Sequence, residues 1–215
     1  WINLSQSLRQ LGRCSAALGA AEKAVQLNPN QSSAWLAKGN ALRGLHALGE
    51  AADAFRQGVE VAPADGQLKV SLANTTRELG QLPEAIRLLR EAVEEHPEFA
   101  EAHRDLAHAL LLHGEYREGW VENRWRWGTG SLQDAKRHQS IPEWTGQSLT
   151  GKRILVWDEQ GFGDAIQFVR FVPWVAGMGA EVVLEIQPQL VRLFETVNAV
   201  GEVIPRGGAM PPVDY

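Results

Sequence analysis

The chain has 215 residues, 44% hydrophobic and 22% charged, proportions of a folded globular protein that exclude a disordered or collagen-like chain. Lys and Arg number 21 against 26 Asp and Glu, a net charge of −5, which excludes whole-molecule attraction to nucleic acid. The single cysteine, Cys14, excludes an internal disulfide and points to a reducing, cytoplasmic compartment, and no apolar run is long enough to span a bilayer. The chain opens on Trp1 inside a repeated pattern and so reads as a piece of something longer. Pro29, Pro63 and Pro97 share a period of 34 residues. Around each the same frame recurs: a helix, a turn with glycine, a second helix, then the proline that stops it.

In that register Leu4, Leu72 and Leu106 coincide, as do Gly12, Gly80 and Gly114 in the turn. Ala17, Ala51 and Ala85 fall where two helices must cross closely. Ala24, Gly58 and Ala92 form a second small position, with Ala21, Phe55 and Leu89 between them. The pattern resembles the tetratricopeptide repeat. Three repeats run from Trp1 to about Phe99, and a fourth starts at Ala100, departs at Gly119 and ends in Trp120, Trp125 and Trp127. The expected unit is therefore an α solenoid over 1–128, closed by a variant repeat or cap.

The resemblance places the first helix of each repeat on the concave face. One row of inward positions reads Gln6, Asn40, Asn74, His108, and its neighbour reads Arg9, Arg43, Arg77 and then Leu111. Amide side chains hydrogen-bond an extended peptide backbone whatever its sequence, and arginines prefer carboxylates, so the expected partner is a protein or peptide acceptor. His96, His103, His108 and His113 spread around two helices and a turn without a completing ligand set, which makes them packing or surface residues and no metal site.

From Thr129 the helical pattern gives way to a connector over 129–150, with Trp144 placed to pin it onto a domain. Arg153 to Trp157, Glu181 to Ile186 and Glu202 to Pro205 then read as strands, and the segments between them, ending in glycine, read as helices. The expected second unit, 151–215, is a partial α/β domain with a three-stranded parallel sheet and right-handed crossovers.

The loop after the first strand reads DEQGFGDAIQF. Gly161 and Gly163 permit a tight turn and close backbone approach, and Asp164 falls in the first turn of the next helix. A dinucleotide fingerprint with Glu185 as ribose acceptor is one reading, but Ile166 stands at the third glycine and Asp158, Glu159 and Asp164 crowd the turn with negative charge. The run from Trp144 through GKRILVWDEQGFGDAIQFVRF and GAEVVLEIQPQLVRLF to the closing VDY resembles the first half of the catalytic region of bacterial tetratricopeptide-repeat glycosyltransferases, similar to heptosyltransferases and to O-linked N-acetylglucosamine transferases. That resemblance implies a Rossmann-like domain of a two-lobed enzyme. Asp164 would be the general base for an acceptor hydroxyl, and Glu159, Gln160, Gly161 and Gly163 would form the acceptor loop. It also implies that the nucleotide-sugar donor is held by a second lobe. No cofactor or donor residue is assigned within this chain, which alone would be catalytically silent. The alternative is a non-catalytic interaction scaffold. A three-stranded sheet that ends here leaves the edge of its first strand bare, to be covered by the segment around Trp144 or by a second copy in a homodimer.

Overall fold

The computed structural model describes residues 1–130, 137–159 and 161–215. The chain divides into two compact units, Trp1–Asp134 and Ala135–Tyr215.

The first unit is a row of antiparallel helix pairs: α1 (Ile2–Gln10) with α2 (Cys14–Leu27), α3 (Ser32–Gly44) with α4 (Leu48–Val61), α5 (Gly66–Glu78) with α6 (Leu82–Glu95), and α7 (Ala100–His113) with α8 (Tyr116–Glu122). The second helices α2, α4 and α6 each stop two residues before Pro29, Pro63 and Pro97, as the missing amide and ring of proline require. Asp65 caps α5 by accepting from the Leu68 backbone N–H at 3.1 Å. A 3₁₀ turn over Asn123–Gly128 packs against α7 and α8.

Ala17, Ala51, Ala85, Ala21, Phe55 and Leu89 are all fully buried, which places the small positions at helix crossings, as the period predicted. At Gly39 an added Cβ would lie 2.4 Å from the Phe55 ring, so this glycine is what lets the large residue in. Leu72 and Leu106 are buried, whereas Leu4 on the first helix is exposed. The turn glycines Gly12, Gly80 and Gly114 all have positive φ, and in the second repeat His46 occupies that position at φ 59°.

The second unit carries β1 (Arg153–Trp157), β2 (Glu181–Ile186) and β3 (Glu202–Pro205), all parallel in the order β1-β2-β3. Ile154 pairs with Val182 and Glu185 with Ile204. The first crossover, expected as one helix, is α9 (Phe162–Phe168), a 3₁₀ turn (Val169–Phe171) and α10 (Val172–Gly177), with Pro173 at the start of α10. The second crossover corrects the sequence reading more strongly. Only Pro188–Leu190 (3₁₀) and α11 (Val191–Phe194) are helical. The Thr196 hydroxyl donates to Leu193 O at 2.6 Å, a local bond that competes with helix continuation, and Ala199 turns to φ 72°.

The edge of β1 is also corrected. Leu155 N donates to Tyr215 O at 2.7 Å, and Asp214 N and Tyr215 N both donate to Arg153 O, the pattern of a parallel ladder flanking Ile154. Asp214 Oδ2 accepts from Arg153 N, and its other oxygen from Lys152 Nζ. The chain's own last residues thus hold the edge that had been expected to need the Trp144 segment or a second copy. Trp144 instead packs on a face, against the cluster of Leu149, Ile154, Val172 and Val182.

Candidate functional site

Adjacent first helices approach closely, α1 with α3, α3 with α5 and α5 with α7, whereas the backbones of the second helices lie further apart, α6 reaching α8 through the long Arg90 and Glu118 side chains. A row whose first helices are crowded and whose second helices are spread must curve with α1, α3, α5 and α7 on the inside.

The predicted rows lie on those four helices. Gln6 and Arg9 are exposed, Asn40, Arg43, Asn74 and Arg77 are half-buried, and His108 is exposed. The rows do not form two independent ladders. Arg43 Nη2 meets Glu78 Oε1 of the next repeat at 2.5 Å. Asn74 spends its amide on Asp105, Nδ2 to Oδ2 2.5 Å, and accepts from Arg77 Nη2 at 3.3 Å. Arg104 clamps Asp105 Oδ1 through Nε and Nη2, at 2.9 and 2.8 Å. Partial desolvation of the His108 ring, opposed by Asp105 and reinforced by Arg104 and Arg77, holds its pKa below the ordinary value. The Nε–H groups of Arg43 and Arg77 are buried without an acceptor, a cost that two successive repeats carry at the same position. Sequence reasoning missed Glu78, Arg104 and Asp105; an acid 35 residues after Arg43 was the available signal.

The other histidines are structural. His96 Nε2 bonds Ala64 O at 2.7 Å, His113 bonds Glu115, and His103 lies between Glu122 and Pro97 O with Trp125 stacked at 4.2 Å. No group of three or more potential metal ligands comes together among the described residues.

In the second unit a cavity of about 320 Å³ opens at the carboxyl ends of the strands, lined by Trp157, Asp158, Glu159, Asp164, Phe168 and Phe194 among others. Residues 214–215 flank β1 on the side away from β2, so strand order reverses at β1, where ligands of open α/β sheets bind. Asp164 is exposed in the first turn of α9 and lines the cavity together with Glu159. Gln160 lies outside the described residues. Gly161 and Gly163 border the same loop. Gly161 has an ordinary extended backbone (φ −73°, ψ 166°), and a Cβ at either position would meet open space. Neither glycine is needed for the turn.

Asp158 and Glu185 are buried at the ends of β1 and β2. Arg137 Nη1 donates to Glu185 Oε2 at 2.7 Å and its Nη2 reaches Asp158 Oδ1 at 3.2 Å, while Arg206 Nη2 lies 2.9 Å from Asp158 Oδ1. His138 Nε2 bonds Glu185 at 2.8 Å. Arg137 also lies over the Trp157 ring at 4.6 Å. Burial would raise the Asp158 pKa, but bonds from Arg206 and the Gln187 N–H, with the Arg206 and Arg137 charges, outweigh it and hold the carboxyl below its usual value. Glu185 is therefore committed to Arg137 and His138, which removes the ribose acceptor that the dinucleotide reading needed. Arg137, His138 and Arg206 were not singled out in the sequence.

Among the described residues no helix is long and apolar enough to cross a membrane. Residues 2–66 and 77–119 each match a family model described as tetratricopeptide repeat. Protein FlbA of Caulobacter vibrioides is 37% identical over 91 residues, 40% of this chain. That match spans 15% of the length of FlbA, the curated relative. Among solved structures, MamA from Desulfovibrio magneticus RS-1 superposes with a TM-score of 0.53 at 21% identity, over 63% of this chain and 75% of that one. TTC0263 of Thermus thermophilus gives 0.54 at 22% identity, over 62% and 73%. YrrB, titled a tetratricopeptide protein with an unusual peptide-binding site, gives 0.50 at 24%, over 59% and 66%. Residues 2–66 and 77–119 belong to the tetratricopeptide-repeat family, and the first unit is a tetratricopeptide solenoid followed in the chain by a small three-stranded parallel sheet.

Proposed function

We propose that the protein is an interaction scaffold whose solenoid holds an extended segment of a partner protein along its inner face. The observation that carries this reading is the row of amides and guanidinium groups on α1, α3 and α5, repeated every 34 residues and partly short of acceptors. A periodic polar surface of this kind matches a backbone whose own period is regular, whatever its side chains. YrrB, of the same fold, is described as having an unusual peptide-binding site; peptide binding comes to this chain on the chemistry of its own groove. A photo-crosslinking residue at Asn40 is expected to capture peptide, and the same probe at Arg87 on α6 is not. Equal capture at both places overturns the groove. Replacing Arg9, Arg43 and Arg77 together with Glu should weaken peptide affinity, and unchanged affinity sinks the arginine row.

A second reading rests on the cavity at the carboxyl ends of the strands. Two carboxylates, Glu159 and Asp164, face apolar walls from Phe168, Ile186 and Phe194, a setting that accepts bonds from a hydroxyl-bearing acceptor and repels phosphate. Here Asp164 is the base of a sugar-transfer site whose nucleotide-sugar donor is bound by another lobe. Native mass spectrometry with free mono- and disaccharides tests it. Retention by the wild type that falls in Asp164→Asn supports the acceptor pocket, and absence of retention by the wild type removes it.

A further inference from the structure

The inner face is not uniformly charged, and this pattern constrains the partner. Of the named arginines, Arg43 is neutralised by Glu78 and Arg104 by Asp105. Arg9 forms no ion pair among the described residues. Among the described residues Arg77 donates only to the neutral amide oxygen of Asn74, and its buried Nε–H lacks an acceptor. His108, on α7 beyond Arg77, has its pKa held down by partial desolvation and by the Arg104 and Arg77 charges, in the direction that keeps it uncharged. Two uncompensated cations therefore stand on the groove, two repeats apart, with a neutralised pair between them.

Their spacing sets a ruler. Successive first helices pack directly, and packed helices lie about 8–10 Å apart, so Arg9 and Arg77 are separated by about 16–20 Å. An extended chain rises about 3.3 Å per residue, so the gap takes about five or six residues. Side chains of an extended segment alternate between faces, so two that meet the same groove must be an even number apart. We infer that the groove selects an extended protein segment bearing two carboxylate side chains six residues apart, one held by Arg9 and the other by Arg77. Segments with closer acids place the second one against the Arg43–Glu78 pair, where the cation is already neutralised. The inference rests on the groove reading above and adds the chemical class and register of the ligand.

The test uses the full chain and fluorescein-labelled dodecapeptides of Ala, Ser and Thr. One set carries two aspartates at positions i and i+3, i+5 or i+6, and one peptide carries none. Anisotropy titration is expected to give about 1.5- to 5-fold tighter binding for the six-residue separation than for three or five, the range for a partly exposed ion pair. Arg9→Gln and Arg77→Gln should each erase that preference while Arg43→Gln keeps it, with circular dichroism confirming an intact solenoid in all three. Equal affinity across spacings, or a preference that survives Arg77→Gln, overturns the inference. If the aspartate-free peptide binds as tightly as the rest, the register is wrong while the groove reading stands. If no peptide binds, both fall.

Discussion

The sharpest test of the solenoid lies in its turns. In all four, the residue in the left-handed turn position donates its backbone N–H to the carbonyl three residues earlier: Gly12 to Arg9, His46 to Arg43, Gly80 to Arg77 and Gly114 to Leu111, at 2.9 to 3.2 Å. The turn requires a left-handed backbone there, and φ is 73°, 80° and 92° at the three glycines and 59° at His46. A residue with a Cβ loses about 1–2 kcal/mol in that conformation. Glycine gives back about 0.5–1 kcal/mol through the looser unfolded chain. His46 is exposed, so its replacement forfeits little packing. The balance leaves His46→Gly more stable by about 0.5–1 kcal/mol, a rise in melting temperature of about 1–4 °C at roughly 2–4 °C per kcal/mol for a chain this long. Urea and thermal unfolding followed by helical circular dichroism give the number. Gly80→His is the mirror experiment and should lose a similar amount, since its added Cβ meets open space and only the backbone term changes. If His46→Gly is neutral or destabilising while Gly80→His is tolerated, the turn argument is wrong.

Further outcomes follow from other contacts. Gly39→Ala drives a methyl into the Phe55 ring 2.4 Å away and should cost about 1–3 kcal/mol in urea unfolding; a neutral result would mean the ring has room to shift. The Asp158 carboxyl is held below its ordinary value, so its contribution is present above the unfolded value near ~3.9 and is lost as pH falls through the lower folded value. Asp158→Asn should therefore flatten the loss of stability of the second unit in acid, as read by tryptophan fluorescence, and an unchanged acid limb would refute it. Removing Asp214 and Tyr215 strips the β1 edge of its partner bonds, and light scattering should then report concentration-dependent association through that edge. A variant that stays monomeric would show that the edge needs no cover.

Periodicity made the solenoid legible. Small residues at Ala17, Ala51 and Ala85, prolines closing α2, α4 and α6, and glycine in three of the four turns are local requirements that recur, so the 34-residue spacing alone placed the first three helix pairs and most of their core. Strand positions were equally local, carried by the apolar runs at Arg153–Trp157, Glu181–Ile186 and Glu202–Pro205. The arginine and amide rows could be placed on the inner helices for the same reason. What they do there could not, because Arg43 meets Glu78 and Asn74 meets Asp105 only after neighbouring repeats stack. The second unit depended still more on tertiary contact. Arg137 lies 21 residues from Asp158 and 48 from Glu185, and Asp214 lies 61 from the Arg153 amide it caps. No short-range pattern encodes such pairs: chain closure over those distances is decided by which buried carboxylate or open strand edge most needs a partner.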